Sequence, residues 1–238
     1  MKNTILIVFV LLGSLSAKAQ NLETFFKQAD AFLQANVVNG KVDYESIKKD
    51  TKSLNEVLEL AANITINKED AKNYQAFWIN AYNLSVIKGL VTNYPTKSPL
   101  EDSGFFDKTK YTLAGEKVTL NTIENTLLRA PFKDPRFHFV LVCGAVGCPP
   151  LISKAYLPST LEKQLQKQTV LALNGTYFIK INPKKKQVEG SKILEWYKED
   201  FTKNGTTEIE YINTIRTEKI PTDYTLTYFE YDWRINKQ

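Results

Sequence analysis

The sequence predicts an α+β fold, a single helix-rich domain around a small antiparallel sheet. Apolar residues recur at helical spacing in several segments, and the longest of these is "AKNYQAFWINAYNLSVIKGLVTNYP". Short alternating stretches such as "KYTLAGEKVTL" indicate hairpins between the helices. The 238-residue chain is 43% hydrophobic and 12% aromatic, so it has enough apolar side chains to bury a substantial core.

The first residues have the pattern of a signal peptide. Lys2 precedes an apolar run from Ile5 to Leu12, and Ala17-Lys18-Ala19 is the small-x-small pattern that signal peptidase accepts. We therefore expect a signal peptide over residues 1–19, cleavage near Ala19/Gln20, and an exported protein that is periplasmic or secreted. The remaining chain has no apolar run long enough to cross a bilayer, which predicts no transmembrane segment after cleavage.

The charge of the chain argues against a nucleic-acid partner. Without Lys2 and Lys18, 29 of the 31 basic residues remain against 26 acidic ones, so the net charge falls from +5 to about +3. The densest basic run, "NPKKKQ" over residues 182–187, lies between two strand-like stretches and is typical of a solvated hairpin tip. We expect no nucleic acid as partner, and an unidentified small-molecule or peptide substrate. Composition and charge make no prediction of the oligomeric state.

Residues 20–67 are predicted to form a helical extension packed on a core that spans residues 68–238. The stretch "NGKVDYESI" is predicted to be a turn into a short extended piece, and after it Ser53 and Glu56 have the spacing of a capping box and predict a second helix. Near the start of the extension, apolar side chains recur on one stripe of a helix, at Phe25, Phe26, Ala29, Phe32 and Leu33.

The helix that begins near Ala71 is the most informative element. Its strongly polar residues between Ala76 and Val91 are Asn80, Asn83, Ser85 and Lys88. Nearly every side of this helix must therefore face protein. Pro95 is predicted to end it.

The remaining elements alternate between helices and short strands. A hairpin turning at Ala114-Gly115 leads into the helix "NTIENTLLR", and "RFHFVLVCG" is predicted to be a buried strand by its β-branched and aromatic content. Ser159 and Glu162 predict a capped helix, which the hairpin "TYFIKINPKKKQVEG" follows. Ser191 is predicted to cap "SKILEWYKEDF". A helical piece near 207–216 and a late strand in "TDYTLTYFEYDWRIN" complete the chain.

The reactive side chains are concentrated in "DPRFHFVLVCGAVGCPPL", residues 134–151. The chain's one histidine, His138, and both of its cysteines, Cys143 and Cys148, fall within eleven residues. This stretch is open to four interpretations: a catalytic site, a disulfide, a metal site, or packing without chemistry.

The enzymatic interpretation is an exported thiol-dependent hydrolase or acyltransferase that acts on an amide or ester of peptide or cell-envelope type. Cys148 precedes two prolines, which favour the first turn of a helix, and the helix dipole would lower the pKa of its thiol. His138 would be the base, because the chain has no other imidazole. Glu124 or Asn80 would orient its ring, and N–H groups around Gly147 and Cys148 would be the oxyanion donors.

Two other interpretations stay open. Two cysteines separated by four residues across a glycine-containing turn can close a disulfide in an oxidising compartment. The protein would then be a non-enzymatic envelope binding or scaffold module with a structural cluster of Cys, His, Asn and Glu. A zinc site at His138, Cys143 and Cys148 would need a fourth ligand such as Glu124, and the His-x4-Cys-x4-Cys spacing matches no common finger. We expect neither a metal ion nor a cofactor.

Glu124 has a structural interpretation beside the functional one. It could orient His138 or bind a substrate cation. The spacing from Asn121 to Glu124 also fits a capping box, and Arg129 is close enough along a helix for an ion pair.

Asn80 and Asn83 present two amides on one face of an otherwise apolar helix. Each amide needs several hydrogen bonds when it is buried. Such amides bond to irregular backbone more often than to ligands, which favours scaffolding over binding.

Five blocks of the sequence resemble, in order, the blocks of the domain of unknown function 547 family, DUF547, as in a secreted bacterial member. They are "FWINAYNLSVIKGL", "TLNTIENTLLR", "DPRFHFVLVCGAVGCPPL", "SKILEWYKEDF" and "YDWRIN". The resemblance reaches from about Ala71 to Asn236, with the central motif region at about 71–175. The family implies no settled activity.

The resemblance implies that polar residues of distant blocks converge at one pocket or core network. It places at motif positions Asn80, Tyr82, Asn83, Glu124, Arg129, His138, Cys143, Cys148, Pro149, Trp196, Tyr197, Asp200, Phe201, Asp232 and Trp233. The candidate catalytic residues are Cys148, His138 and Glu124. The candidate binding residues are Asn80, Asn83, Tyr82, Arg129 and Cys143.

Overall fold

The computed structural model of the protein describes residues 21–238, and the predicted signal peptide lies outside the described residues. The α-helices are α1 (residues 21–36), α2 (Tyr44–Lys49), α3 (Lys52–Asn63), α4 (Ala71–Asn93), α5 (Ala130–Phe132), α6 (Leu161–Asn174), α7 (Lys192–Trp196), α8 (Lys198–Phe201) and α9 (Glu208–Ile215). The strands are β1 (Val37–Val38), β2 (Lys41–Val42), β3 (Lys110–Leu113), β4 (Glu116–Thr119), β5 (Ile179–Asn182), β6 (Gln187–Gly190) and β7 (Thr225–Tyr228). A π-helix spans Thr122–Arg129, and 3₁₀ turns span Pro99–Glu101, Pro135–Phe139, Pro183–Lys185 and Lys203–Gly205.

The predicted α+β class and helix-rich single domain are confirmed. The β structure of the described residues is divided among three small sheets: β1–β2, β3–β4 and β5–β6–β7. The first two are antiparallel, whereas β7 joins the third by parallel pairing with β6. Ala114 and Gly115 form the predicted two-residue turn between β3 and β4, with φ of 51° and 79°. Positive φ at both turn residues matches the twist of the flanking strands.

Helix α4 is the centre of the larger of two apolar cores. Residues 76–87 are buried without interruption, which confirms that this helix faces protein on all sides. Helices α2 and α3 and the π-helix pack against it. The predicted apolar stripe of α1 is buried too, and the ring of Phe25 lies 5.2 Å from that of Phe77. The sequence pattern therefore identified the main core correctly.

The smaller core is formed by residues that follow the cysteines, together with Phe139. Helices α6, α7 and α9 and the β5–β6–β7 sheet enclose it, around side chains such as Phe178 and Leu194. Tyr231 packs against both cores. None of the helices within residues 21–238 combines the length and hydropathy that a bilayer crossing requires.

Two helices begin within two residues of the predicted position, but without the predicted caps. The N-cap residue of α3 is Thr51 and that of α6 is Thr160, and neither side chain caps the helix. Ser191 caps α7 as predicted, by accepting a hydrogen bond from the N–H of Ile193. A full capping box forms instead at the start of α9, between Thr207 and Glu210.

The prediction of a strand in "RFHFVLVCG" is wrong. Asp134 accepts a hydrogen bond from the N–H of Arg136 at 2.9 Å, and Pro135 opens a 3₁₀ turn that ends at Phe139. The following residues 141–143 belong to no sheet. The predicted burial is confirmed, since residues 137–142 are all buried.

A side chain, and not a neighbouring strand, makes the hydrogen bonds to the backbone of this buried segment. Asn83 donates from Nδ2 to the carbonyl of Val140 and accepts from the N–H of Val142, both at 2.9 Å. Asn80 makes the same pair of bonds to the N–H and carbonyl of Tyr156, at 2.9 and 2.7 Å. Two carboxamides of α4 thus make the backbone hydrogen bonds that a paired strand would otherwise make. This supports the scaffolding interpretation of both residues.

Replacing Asn83 should destabilise the fold strongly. Asn83→Ala leaves the carbonyl of Val140 and the N–H of Val142 buried without their partner, and each such group costs about 1–3 kcal/mol, so we expect a loss of about 3 kcal/mol. Urea unfolding of the oxidised protein measures the change. The control is Asn63→Ala, because Asn63 is an exposed helical asparagine that bonds to the carbonyl of Glu59. Equal losses in the two variants would contradict this assignment.

Candidate functional site

A pocket of about 310 Å³ lies where the two cores meet. Residues of the larger core, such as Tyr82 and Leu141, form one side, and Ile193 and Tyr197 form the other. The lining residues are Tyr82, Phe106, Asn121, Glu124, His138, Leu141, Cys143, Cys148, Ile193, Trp196, Tyr197, Tyr231 and Trp233.

The two cysteines form a disulfide on the wall of this pocket. Cys148 is therefore not the free thiol that the catalytic interpretation requires, and of the four interpretations the structure contains the disulfide. The hydroxyl of Tyr231 lies 3.1 Å from each sulfur. Since a disulfide sulfur carries no proton, the hydroxyl is the donor in both contacts.

The expected helix after Cys148 is absent. Pro150 packs against Gly40, whose φ is +80°, and Leu151 makes an isolated bridge to that glycine. The predicted oxyanion donors are also occupied, because the N–H of Gly147 bonds to the carbonyl of Asp232 and that of Cys148 to the carbonyl of Ala145. After the disulfide, the backbone of Leu151 pairs with that of Gly40, next to β2, and does not form a helix. No helix dipole therefore acts on Cys148.

His138 is held by the carboxylate of Asp200 and by neither of the two predicted groups. Its Nε2 lies 2.7 Å from Oδ2 of Asp200, while Glu124 and Asn80 have other partners. The imidazole stacks on the ring of Tyr197 at 3.9 Å between centroids, and the histidine side chain is 1% exposed. Asp200 is therefore the group that orients the imidazole.

Asp200 lies at the centre of a compact charge cluster. Nε of Arg129 donates to its Oδ2 at 2.8 Å, and Nζ of Lys203 lies 3.7 Å from its Oδ1. The hydrogen bond from His138 and then the guanidinium of Arg129 hold the pKa of Asp200 well below its ordinary value, although burial acts in the opposite direction. Arg129 also covers the Tyr197 ring, with its guanidinium carbon 4.6 Å from the centroid.

Glu124 faces a set of tyrosine hydroxyls. It lies on the π-helix and hydrogen bonds with the hydroxyls of Tyr82 and Tyr197. Burial, and next the charge of Glu124, raise the pKa values of Tyr82, Tyr197 and Tyr231. These tyrosines therefore stay protonated.

The capping box predicted between Asn121 and Glu124 does not form, since the Asn121 side chain makes no cap bond. The hydroxyl oxygen of Thr119 accepts from the N–H of Thr122 in its place, at 3.1 Å. Glu124 is consequently left to face the pocket.

Aromatic rings form the outer wall of the pocket. Trp196 lies 4.9 Å from Tyr231 and stacks on Trp233 at 5.8 Å, and Tyr231 and Trp233 are 4.7 Å apart. Phe106 extends the wall, 6.5 Å from Trp233. Trp196 is 48% exposed, so this wall borders the solvent.

The structure brings together most of the residues that the sequence singled out. Five of them line the pocket: Tyr82, Glu124, His138, Cys143 and Cys148. Arg129 lies over the Tyr197 ring and does not line the pocket, whereas Asn80 and Asn83 are buried in α4 and bind backbone.

Sequence reasoning assigned no role to several residues of the site. Asp200, Trp196, Tyr197 and Trp233 were named as motif positions only, and Tyr231 was not named. The signal was present in the aromatic-rich blocks "SKILEWYKEDF" and "YDWRIN", which the sequence analysis interpreted as packing elements.

The metal interpretation is not supported. Among the residues that the structure describes, no group of three or more His, Cys, Asp and Glu side chains could hold a metal ion. Both sulfurs are bonded to each other, so neither is a thiolate ligand.

Comparison with known proteins identifies one family. Residues 66–171 match the model of a family described as "Protein of unknown function, DUF547". Neither the curated proteins nor the solved structures contain a match to the chain.

Asp200 should stabilise the fold in a pH-dependent manner. Its pKa is lowered from 3.8 in the folded state, so the stabilisation is present above that value and is lost as the pH falls through the folded pKa. We expect Asp200→Asn to lower the free energy of unfolding by about 2–3 kcal/mol at neutral pH, because Arg129 and His138 lose their charged partner.

Urea unfolding at pH 7 and at about pH 3 tests this linkage. The difference between wild type and Asp200→Asn should shrink at the lower pH. The control is Asp107→Asn, which changes an exposed aspartate. A difference that stays constant, or grows, as the pH falls would show that Asp200 is not held as an ion.

Proposed function

We propose that the protein binds a small ligand carrying an ammonium group. The chain is a member of the DUF547 family, whose description assigns no activity, so the proposal is argued from the pocket. The observation that carries the proposal is a carboxylate, Glu124, inside an aromatic pocket that no lysine or arginine of the described residues lines.

The charge of the pocket is opposite to that of the chain. The whole sequence has a formal net charge of +5. Among the described residues that line the pocket there is no Lys or Arg, while Glu124 is a carboxylate. Arg129 is bonded to Asp200 and lies over the Tyr197 ring, and it is not among the residues that line the pocket. The pocket therefore favours a cation.

The aromatic wall suits an organic cation better than a metal ion. Ring faces carry partial negative charge and attract ammonium groups, most strongly for tryptophan. Trp196, Trp233 and Tyr231 supply such rings, and the hydroxyls of Tyr82 and Tyr197 already bond to Glu124. A quaternary or alkylated ammonium needs few hydrogen bonds, so the rings and the single carboxylate are sufficient for it.

The size and position of the pocket fit a small ligand. Its volume of about 310 Å³ lies at the lower end of the range for small-molecule sites. The exposed Trp196 marks the entrance. A ligand would place its cationic end near Glu124 and its remainder toward the solvent, which also suits one ammonium group of a larger envelope component or peptide.

We further propose that the protein acts outside the cytoplasm, as a periplasmic or secreted binding module. The Cys143–Cys148 disulfide supports this location, because disulfides persist in oxidising compartments. It agrees with the signal-peptide pattern of residues 1–19.

Choline and 3,3-dimethyl-1-butanol form a matched pair of probes, one cationic and one neutral, with the same shape. We expect choline to bind and the neutral probe to bind about tenfold more weakly, because it lacks the attraction to Glu124 and to the ring faces. Glu124→Gln should weaken choline binding by about tenfold and leave the neutral probe unchanged.

Isothermal titration measures both affinities, and quenching of tryptophan fluorescence reports contact with Trp196 and Trp233. Glu189→Gln is the control, since Glu189 is exposed on β6. Equal affinity for the two probes, or no effect of Glu124→Gln on choline, would refute the ammonium site.

A thiol-dependent hydrolase or acyltransferase is the second candidate function. One observation favours it: Cys148, His138 and Glu124 line the same pocket. The mechanism needs reduction of the disulfide before Cys148 can act as nucleophile. Asp200 would then orient the imidazole of His138, to which it already bonds.

The second candidate makes a kinetic prediction for the reduced protein. Iodoacetamide should alkylate Cys148 faster than free cysteine, and the rate should collapse in His138→Ala, because the imidazole would no longer accept the thiol proton. Mass spectrometry of the alkylated peptide gives both rates. Slow labelling that is equal in the two proteins would exclude an activated thiol.

A further inference from the structure

The two cysteines of the disulfide differ in exposure. Both line the pocket, but Cys143 is partly exposed whereas Cys148 is 5% exposed. We therefore expect a thiol that enters the pocket to reach Sγ of Cys143 first. Exchange requires the attacking sulfur to approach one sulfur while the other departs as a thiolate.

The departing sulfur, Sγ of Cys148, already has two hydrogen-bond donors. The N–H of Cys143 donates to it at 3.0 Å and the hydroxyl of Tyr231 at 3.1 Å. A neutral disulfide sulfur is a weak acceptor, whereas a thiolate is a charged one, so both bonds strengthen as the sulfur leaves. Burial raises the pKa of Tyr231, so its hydroxyl keeps the proton that it donates.

The disulfide contributes little to holding its loop. It joins residues only five apart, and short loops gain the least from a cross-link. Backbone bonds hold the same loop, from the N–H of Val146 to the carbonyl of Arg234 and from that of Gly147 to Asp232. Reduction should therefore leave the pocket folded. If the role of the disulfide were purely structural, reduction would be expected to disrupt the loop.

From this geometry we propose that the Cys143–Cys148 disulfide is a redox-active site that exchanges with a thiol-bearing ligand. The ligand thiolate attacks Sγ of Cys143, a new S–S bond forms there, and the bond to Sγ of Cys148 breaks. The electron pair passes to Cys148, which becomes a thiolate bonded by the N–H of Cys143 and the hydroxyl of Tyr231.

The mixed disulfide on Cys143 has two outcomes. Attack by the Cys148 thiolate on Sγ of Cys143 reverses the step and releases the ligand thiolate. Attack by a second ligand thiolate on the ligand sulfur releases a ligand disulfide and leaves both cysteines reduced. Two ligand thiols are then oxidised for each protein disulfide reduced, so the electrons balance. The site does not require the ammonium ligand, since Glu124 takes no part.

Reduced glutathione serves as the probe thiol for the folded, oxidised protein. Samples are quenched with acid at intervals, alkylated with N-ethylmaleimide and analysed by mass spectrometry. We expect exchange without unfolding, with the glutathione adduct on Cys143. Tyr231→Phe should slow the exchange about tenfold, because the leaving thiolate loses one donor. The control Tyr177→Phe, which changes an exposed tyrosine, should react like wild type.

Single-cysteine variants test the direction of attack independently of Tyr231. With oxidised glutathione, Cys148→Ser should form an adduct on Cys143 about tenfold faster than Cys143→Ser forms one on Cys148, because the second sulfur is buried. Circular dichroism checks that each variant is folded.

Three results would overturn the proposal: exchange only at the rate of global unfolding, adducts on Cys148, or equal rates for Tyr231→Phe and Tyr177→Phe. Loss of choline binding in Glu124→Gln with unchanged exchange would separate this site from the ammonium site.

Discussion

The pairing of Asn83 with the backbone of Val140 and Val142 is the constraint on which the site depends. This segment runs between His138 and Cys143, and no strand lies beside it to satisfy its polar groups. A buried carbonyl or N–H without a partner is costly, so the segment can cross the interior only where a side chain replaces the missing strand. The carboxamide does so from a helix that is itself buried, and it thereby fixes where the imidazole and the first sulfur lie.

The pocket exists because two cores meet without merging. The larger core surrounds α4, and the smaller one is formed mainly by residues after the disulfide. Large aromatic side chains such as Trp196, Trp233 and Tyr231 line their junction instead of filling it. Rings of this kind are apolar on their faces and carry a polar group on the edge, so they suit a boundary that is partly wet.

Two carboxylates near the pocket have opposite roles because their partners differ. The negative charge of Asp200 is balanced by the ion pair with Arg129, and its carboxylate is bonded to His138. The lowered pKa of Asp200 reflects these contacts. Glu124 is bonded by tyrosine hydroxyls, which carry no charge. One carboxylate therefore stabilises the structure and orients a ring, while the other leaves negative charge directed into the pocket.

The sequence by itself determined most of the helices, the hairpins and the family, because these depend on short-range periodicity, turn residues and ordered motifs. The buried α4, the Ala114-Gly115 turn and the β5–β6 hairpin were all predicted from local pattern. The prediction of a strand at residues 136–144 failed because the composition of this stretch indicates burial, and burial alone does not specify which group satisfies the backbone.

Only the tertiary structure decided the chemistry of the site. Sequence placed Cys148, His138 and Glu124 as candidates, but their partners lie far away along the chain: Tyr231 for the sulfurs, Asp200 for the imidazole and Tyr197 for the carboxylate. Spacing could not distinguish a thiol from a disulfide, because both fit the same short turn. Hydrogen bonds and charges act over a few ångströms in space, so their partners are set by how distant segments pack.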